Sequence, residues 1–104
     1  MKLITWNVNG IRARQQELAE LVAAEQPDVI CLQEIKASPE KVPELLVAAQ
    51  GYWCYWHGAG GYSGVALLVS HSFFTERPEF LHPSFDLENR IVTAKLGPVR
   101  IASV

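Results

Sequence analysis

No stretch of the 104 residues stays apolar for more than a few positions. A membrane helix needs about 20 such residues in a row, so none is encoded. The opening Met1-Lys2-Leu3-Ile4-Thr5 reaches the polar Asn7 before any apolar core of signal-peptide length, and no small-residue cleavage site follows. The expectation is a chain that begins at Met1 and stays in the cytoplasm. Cysteine is scarce: only Cys31 and Cys54, with no Cys-x-x-Cys spacing. Cys31 lies in the apolar run Val29-Ile30-Cys31-Leu32 and Cys54 in an aromatic run. That pattern reads as two buried thiols rather than a disulfide or a metal site. An excess of positive charge is missing as well. The formal net charge is −2, so the basic balance common in nucleic-acid-binding domains is absent as a global signal. Internal repeats and low-complexity segments are also lacking.

What is present is the composition of one small domain. With 49% hydrophobic and 19% charged residues, the chain is neither disordered nor fibrous. Lys2 to Trp6 is rich in β-branched and aromatic residues and predicts a strand. Asn9-Gly10 is a turn signal. From Ile11 the pattern turns helical, with Ile11, Leu18, Leu21 and Val22 on one face, until Pro27-Asp28 ends it. Val29 to Gln33 predicts a short strand buried on both faces. Strand, helix, strand is a βαβ unit, whose two strands run parallel and share one carboxyl edge. Asn7 and Glu34, each just past a strand end, should emerge on that edge, where ligands bind in open α/β sheets.

The second half reads differently. Pro43 to about Gln50 predicts a helix with Gly51 as its stop. Strands are predicted at Tyr52–His57, Ser63–Val69, Arg90–Leu96 and Val99–Val104, pairing antiparallel. His71 to Glu79 reads as a loop with a short extended piece. Charge is distributed rather than massed: Arg12, Arg14 and Lys36 follow two strand ends, while Glu17, Glu20, Glu25, Glu40 and Glu44 fall on predicted helices. Val99 to Val104 carries no cap and no polar tail. The expectation is a chain cut mid-strand.

Each chemistry-bearing feature has a plain reading beside a functional one. Asn7 offers a carbonyl oxygen to a hard cation, or merely shapes the Asn-Gly turn. Glu34 is a magnesium ligand, since that ion needs only one or two protein oxygens, or a surface carboxylate capping the sheet. The glycines around Tyr62 let a backbone approach phosphates, or form a mobile hairpin; no Gly-Lys-Ser/Thr follows, so this is no Walker loop. Arg90 clamps a phosphate or pairs with Asp86 or Glu88. His57, His71 and His82 show no ligand spacing and are assigned no chemistry. Tyr52, Trp53, Tyr55 and Trp56 read as packing.

The order of these features along the chain is more specific than any one of them. Thr5-Trp6-Asn7-Val8-Asn9-Gly10-Ile11-Arg12-Ala13 closely resembles the opening motif of exonuclease III and its relatives. Pro27 to Lys36, containing Leu32-Gln33-Glu34, resembles their second motif. Gly61-Tyr62-Ser63-Gly64-Val65-Ala66-Leu67-Leu68 resembles the third, and Glu88-Asn89-Arg90 a looser fourth. The Leu-Gln-Glu element is shared across the endonuclease/exonuclease/phosphatase superfamily. The Asn-Gly-Ile-Arg-Ala and Gly-Tyr-Ser-Gly-Val elements point more narrowly to abasic-site endonucleases.

The resemblance implies an α/β fold, the N-terminal part of a four-layered, DNase I-like sandwich with a mixed sheet and flanking helices. It implies hydrolysis of DNA phosphodiesters at abasic sites and 3′ ends, with double-stranded DNA as partner, no membrane, and magnesium (or manganese) as cofactor. By position, Asn7 and Glu34 would be the catalytic and metal-site residues. Arg12, Lys36, Gly61, Tyr62 and Arg90 would be DNA contacts. Asn89 stands where relatives often have glycine, which alters the setting of Arg90. Relatives are more than twice as long, and the Tyr, Asp-x-Asn, Asp and Asp-His elements of their sites have no counterpart here. Residues 1–104 are therefore expected to be a single incomplete domain, inactive alone and lacking the C-terminal half. Two other readings remain open: a phosphoesterase of the same superfamily acting on a phospholipid or inositol phosphate, and a non-catalytic half-domain whose lone sheet exposes its inner face.

Overall fold

The computed structural model describes residues 1–38, 42, 50–58, 63–83 and 90–104. The predicted helix from Pro43 lies outside these residues, apart from its end at Gln50, which forms a turn. The first half folds as its pattern demands. Strand β1 (Leu3–Asn7) leads through a 3-10 turn (Ile11–Ala13) into helix α1 (Gln15–Glu25), and strand β2 (Val29–Gln33) returns beside β1. The two strands pair in parallel, with Leu3 opposite Val29 and Asn7 opposite Gln33. The second half supplies β3 (Tyr52–His57), β4 (Val65–Ser70), β5 (Glu79–Leu81), β6 (Val92–Leu96) and β7 (Val99–Ser103). All their pairings are antiparallel.

Helix α1 does not start at Ile11. The amides of Gly10 and Ile11 donate to Glu34 O at 2.8 Å and Ile35 O at 2.9 Å. Those bonds hold residues 10–11 in the sheet's extension, so only one tight turn forms before the α-helix proper begins at Gln15. The helix ends at Gln26, which adopts a left-handed φ of 44° ahead of Pro27.

Two sheets result, as the resemblance to a sandwich implies, and the alternative reading of a lone sheet with a bare inner face does not hold. The larger has the order β1-β2-β4-β3, the smaller β5-β6-β7. Strand alternation decides what lies where. On the outer side, Leu18 of α1 packs with Ile30, Leu32, Ala66 and Leu68, with Val22, Tyr52, Cys54 and Trp56 at the margin. Between the sheets, Val29, Cys31, Val65, Leu67 and Val69 meet Val92, Ala94, Leu96 and Ile101. Every residue of β2 from Val29 to Leu32 is thus buried, half facing each core, which explains its unbroken apolar run. The layers are helix, mixed sheet, antiparallel sheet. The aromatic strand β3 packs on both faces, as its composition predicts. Both thiols are free, Cys31 buried and Cys54 half-buried.

Candidate active site

The carboxyl ends of β1 and β2 emerge side by side, and the chain beyond them is laced together rather than loose. Val8 N donates to Gln33 O at 3.0 Å, continuing the ladder that the Gly10 and Ile11 amides extend. From the other side, Ile35 N donates to Gly64 O and Lys36 N to Ser63 O, at 3.1 and 2.9 Å. Apolar and polar residues alternate along these segments. Val8, Ile11 and Ile35 are buried to 1% exposure or less. The intervening Asn7, Asn9, Glu34 and Lys36 are therefore turned to the rim, anchored by their neighbours' burial.

At the rim the Asn7 amide Nδ2 donates to Glu34 Oε2 at 2.7 Å, and Asn7 Oδ1 accepts from Asn9 N at 3.1 Å. Lys36 Nζ donates to Asn9 Oδ1 at 2.6 Å and lies 3.7 Å from Glu34 Oε1. That ion pair is half-exposed and stabilises the fold little. Its effect is local, holding a positive charge beside the carboxylate. Behind the rim, Gln33 Nε2 donates to Thr5 Oγ1 at 3.0 Å and Ser103 Oγ at 3.2 Å. Ser103 Oγ in turn donates to Leu32 O at 3.0 Å. One amide side chain thus ties β1, β2 and β7 together beneath the site.

Four of the five non-glycine residues with left-handed backbone among those described stand at this rim: Asn9, Glu34, Lys36 and Ser63, with φ between 47° and 52°. Such conformations cost about 1 kcal/mol or more each and persist where surrounding bonds impose them. Gly64 has φ 92°, and a Cβ there would meet Ile35 Cγ1 at 2.6 Å. Only glycine lets β4 approach Ile35 this closely.

A pocket of about 350 Å³ opens over these groups, lined by Asn7, Gln33, Glu34, Ser63, Gly64, Val65, Arg90 and Val104. Of the residues singled out in the sequence, Asn7, Glu34 and Arg90 therefore share one concavity. Lys36 joins them through Glu34. Arg12 stands exposed on the 3-10 turn, outside the lining. Gly61 and Tyr62 lie outside the described residues, as do Asp86 and Glu88, the partners considered for Arg90. Spacing gave no hint of Ser103, which reaches the site from 70 residues away. It also placed no partner near any histidine, whereas the fold sets His57 and His82 ring to ring at 4.1 Å.

The Glu34 carboxylate and Asn7 Oδ1, on side chains joined by the 2.7 Å bond from Asn7 Nδ2 to Glu34 Oε2, are oxygen donors of the kind a hard divalent cation accepts, with water filling its remaining positions. No cluster of three His, Cys, Asp or Glu side chains suited to a metal occurs among the described residues. The model for the endonuclease/exonuclease/phosphatase family matches residues 4–104. The chain belongs to that family. Its relatives within the endonuclease/exonuclease/phosphatase family include exodeoxyribonuclease III of Haemophilus influenzae, 41% identical over 92% of this chain and 36% of that protein. Among solved structures, an AP endonuclease from Archaeoglobus fulgidus superposes with TM-score 0.80 at 30% identity, over 98% of this chain and 39% of its own. A 3′ phosphatase from Neisseria, bound to a product DNA hairpin, superposes with TM-score 0.79 at 32% identity, over 98% of this chain and 40% of its own. The chain thus spans less than half the length of these relatives.

Proposed function

We propose that the chain forms the N-terminal part of a magnesium-dependent DNA-repair nuclease that hydrolyses phosphodiesters at abasic sites and 3′ ends. The observation that carries the reading is the Asn7–Glu34 pair, joined at 2.7 Å on the shared carboxyl edge and facing the pocket that Arg90 lines. The named relatives, an exodeoxyribonuclease and an AP endonuclease, supply the reaction class.

In this reading Glu34 and Asn7 offer the protein oxygens for a magnesium ion, which when bound would polarise a phosphoryl oxygen and offset developing negative charge. The Asn7 amide orients the Glu34 carboxylate by donating to Oε2, leaving Oε1 turned toward Lys36. Arg90, on the opposite wall, supplies guanidinium donors suited to a bidentate grip on a phosphate. Lys36 and Arg12 contribute positive charge at the rim, drawing a polyanion toward a protein whose net charge is −2. Gly61 and Tyr62 are DNA contacts by resemblance alone. By resemblance alone, water activation falls to groups with no counterpart among these 104 residues.

The test uses the whole protein. Glu34→Gln keeps the shape and removes the charge. It is expected to lower magnesium-dependent cleavage of abasic duplex DNA by about 100-fold or more, as loss of a group that acts on transition-state charge does. Unchanged cleavage sinks the role of Glu34. Cleavage of a small phosphoester with none of DNA would move the substrate to the non-nucleic-acid branch.

A further inference from the structure

The pocket at Glu34 sits at one end of a rim formed by facing ends of the two sheets. Across the larger sheet, Asn7 pairs with Gln33, Gln33 with Val65, and Val65 with His57. These four residues form one row, and their side chains project from the same face. On the smaller sheet, Arg90 precedes β6, Val104 follows β7, and His82 follows β5 at the matching edge. Arg90 and Val104 line the pocket at Asn7. At the other end of the rim stand His57 and His82.

Their rings are stacked, with centroids 4.1 Å apart and planes 13° from parallel. The Tyr55 hydroxyl contacts His82 Nδ1 at 3.1 Å. Tyr55 is itself seated against Phe80, centroids 5.7 Å apart. In the tautomer in which the hydroxyl donates to Nδ1, the His82 proton sits on Nε2, a donor on the ring edge away from Tyr55. His82 is exposed and His57 half-buried. Near-parallel rings carry their in-plane lone pairs side by side, so they do not converge on a single metal ion. Their facing surfaces are occupied by each other, which leaves no room there for a base. What the stack offers outward is the His82 Nε2–H, a donor that suits a phosphate oxygen.

We infer that the His57–His82 stack is a second anchor for the DNA strand, binding a backbone phosphate at the end of the rim opposite Glu34. The inference rests on the nuclease reading above. Three inter-strand steps separate Asn7 from His57, about 14 Å at the usual sheet spacing. That corresponds to about four nucleotides of duplex rise. The stack thus measures flank length on one side of the cleavage position.

The experiment is equilibrium binding by the whole protein to abasic duplexes trimmed stepwise from either end, in metal-free buffer so that nothing is cut. The variants are His82→Phe, which keeps an aromatic stack and removes the donor, and His57→Phe, which keeps an aromatic ring for His82 to stack on. Tyr55→Phe removes only the hydroxyl that orients His82, and keeps the test open if a histidine variant folds poorly. On long duplexes Kd is expected to rise about tenfold for His82→Phe and about threefold for Tyr55→Phe, and to stay near wild type for His57→Phe. The difference from wild type should vanish once one flank is shorter than about four nucleotides. Equal binding by His82→Phe and wild type at every length would overturn the inference, and so would a loss that persists at every length, since that marks a packing role. Wild-type protein that binds none of the duplexes would overturn the nuclease reading and this inference with it.

Discussion

Burial decides the chemistry of the two cysteines. Desolvation raises the Cys31 thiol to about 11, and it raises Cys54 to about 12 against a smaller opposing pull from Arg77. A thiolate is the reactive form, and at pH 8 only about one Cys31 in a thousand would carry it. Both residues are expected to resist iodoacetamide in the native protein and to react once urea unfolds it, read by mass spectrometry. The sign of the linked stability follows. The folded state holds these protons more tightly than the unfolded chain, whose thiols titrate near 9. The contribution is fully present below pH 9 and is lost as pH rises through about 11 and 12. Urea midpoints should fall across that window, and Cys31→Val should lessen the fall. Rapid alkylation at pH 8 without unfolding would show that the thiols are not buried. At this scale the sequence was informative about type and mute about company. Two cysteines in apolar runs are legible as buried thiols, and Glu34 after a buried strand as an edge carboxylate. That Lys36 bonds Asn9 is not legible, because it depends on left-handed backbone at both residues.

Strands are joined here by polar side chains as well as by ladders. Ser103, 1% exposed, is the only buried polar residue among those described. Its hydroxyl donates to Leu32 O and accepts from Gln33 Nε2, which also holds Thr5. Ser103→Ala removes the donor and strands part of the Gln33 amide in a closed setting. A loss of about 1–2 kcal/mol is expected in urea unfolding of the whole protein, and a loss within error would mean that water substitutes for the hydroxyl. The elements around this network differ in how visible they were. The parallel β1–β2 pair follows from a run rich in β-branched and aromatic residues, a 3.6-period run and a continuously apolar run, and with it the shared edge of Asn7 and Glu34. Strand β5 is three residues long with two exposed, so its alternation barely registers. The start of α1 was misplaced because periodicity sees Ile11 on the apolar face. It cannot see that the Ile11 amide is already bonded to Ile35. The hairpin β6–β7 was legible, but the packing of the second sheet on the first, which brings His57 to His82, comes from contacts distant in sequence, for which spacing carries no signal.

Among the described residues, one sheet edge is guarded and another is not. Strand β3 ends the larger sheet. Beside it Arg77 Nη2 donates to Cys54 O at 3.2 Å, Trp53 Nε1 to Phe74 O at 2.8 Å, and His71 N to Gly51 O at 2.9 Å. The 71–77 segment thus covers that edge with a charge and a turn, as sheets exposed to solvent require. Strand β7 ends the smaller sheet, and no comparable bond to its outer edge occurs among the described residues. Val99 on β7 is 48% exposed and Leu3 on β1, whose side chain faces the smaller sheet, is 43% exposed. The two sheets bury each other's centre but do not cover the β1 margin. An unguarded strand edge next to exposed apolar side chains is a template for pairing with another chain. The 104 residues prepared alone are therefore expected to self-associate, eluting as dimers or larger species on size exclusion with light scattering. Adding Lys at position 99 (Val99→Lys) should weaken that association, because a charge on an edge strand opposes pairing. A monodisperse monomer of the unaltered chain that melts cooperatively would show that the inter-sheet core is sufficient by itself and that the β7 edge is protected in solution.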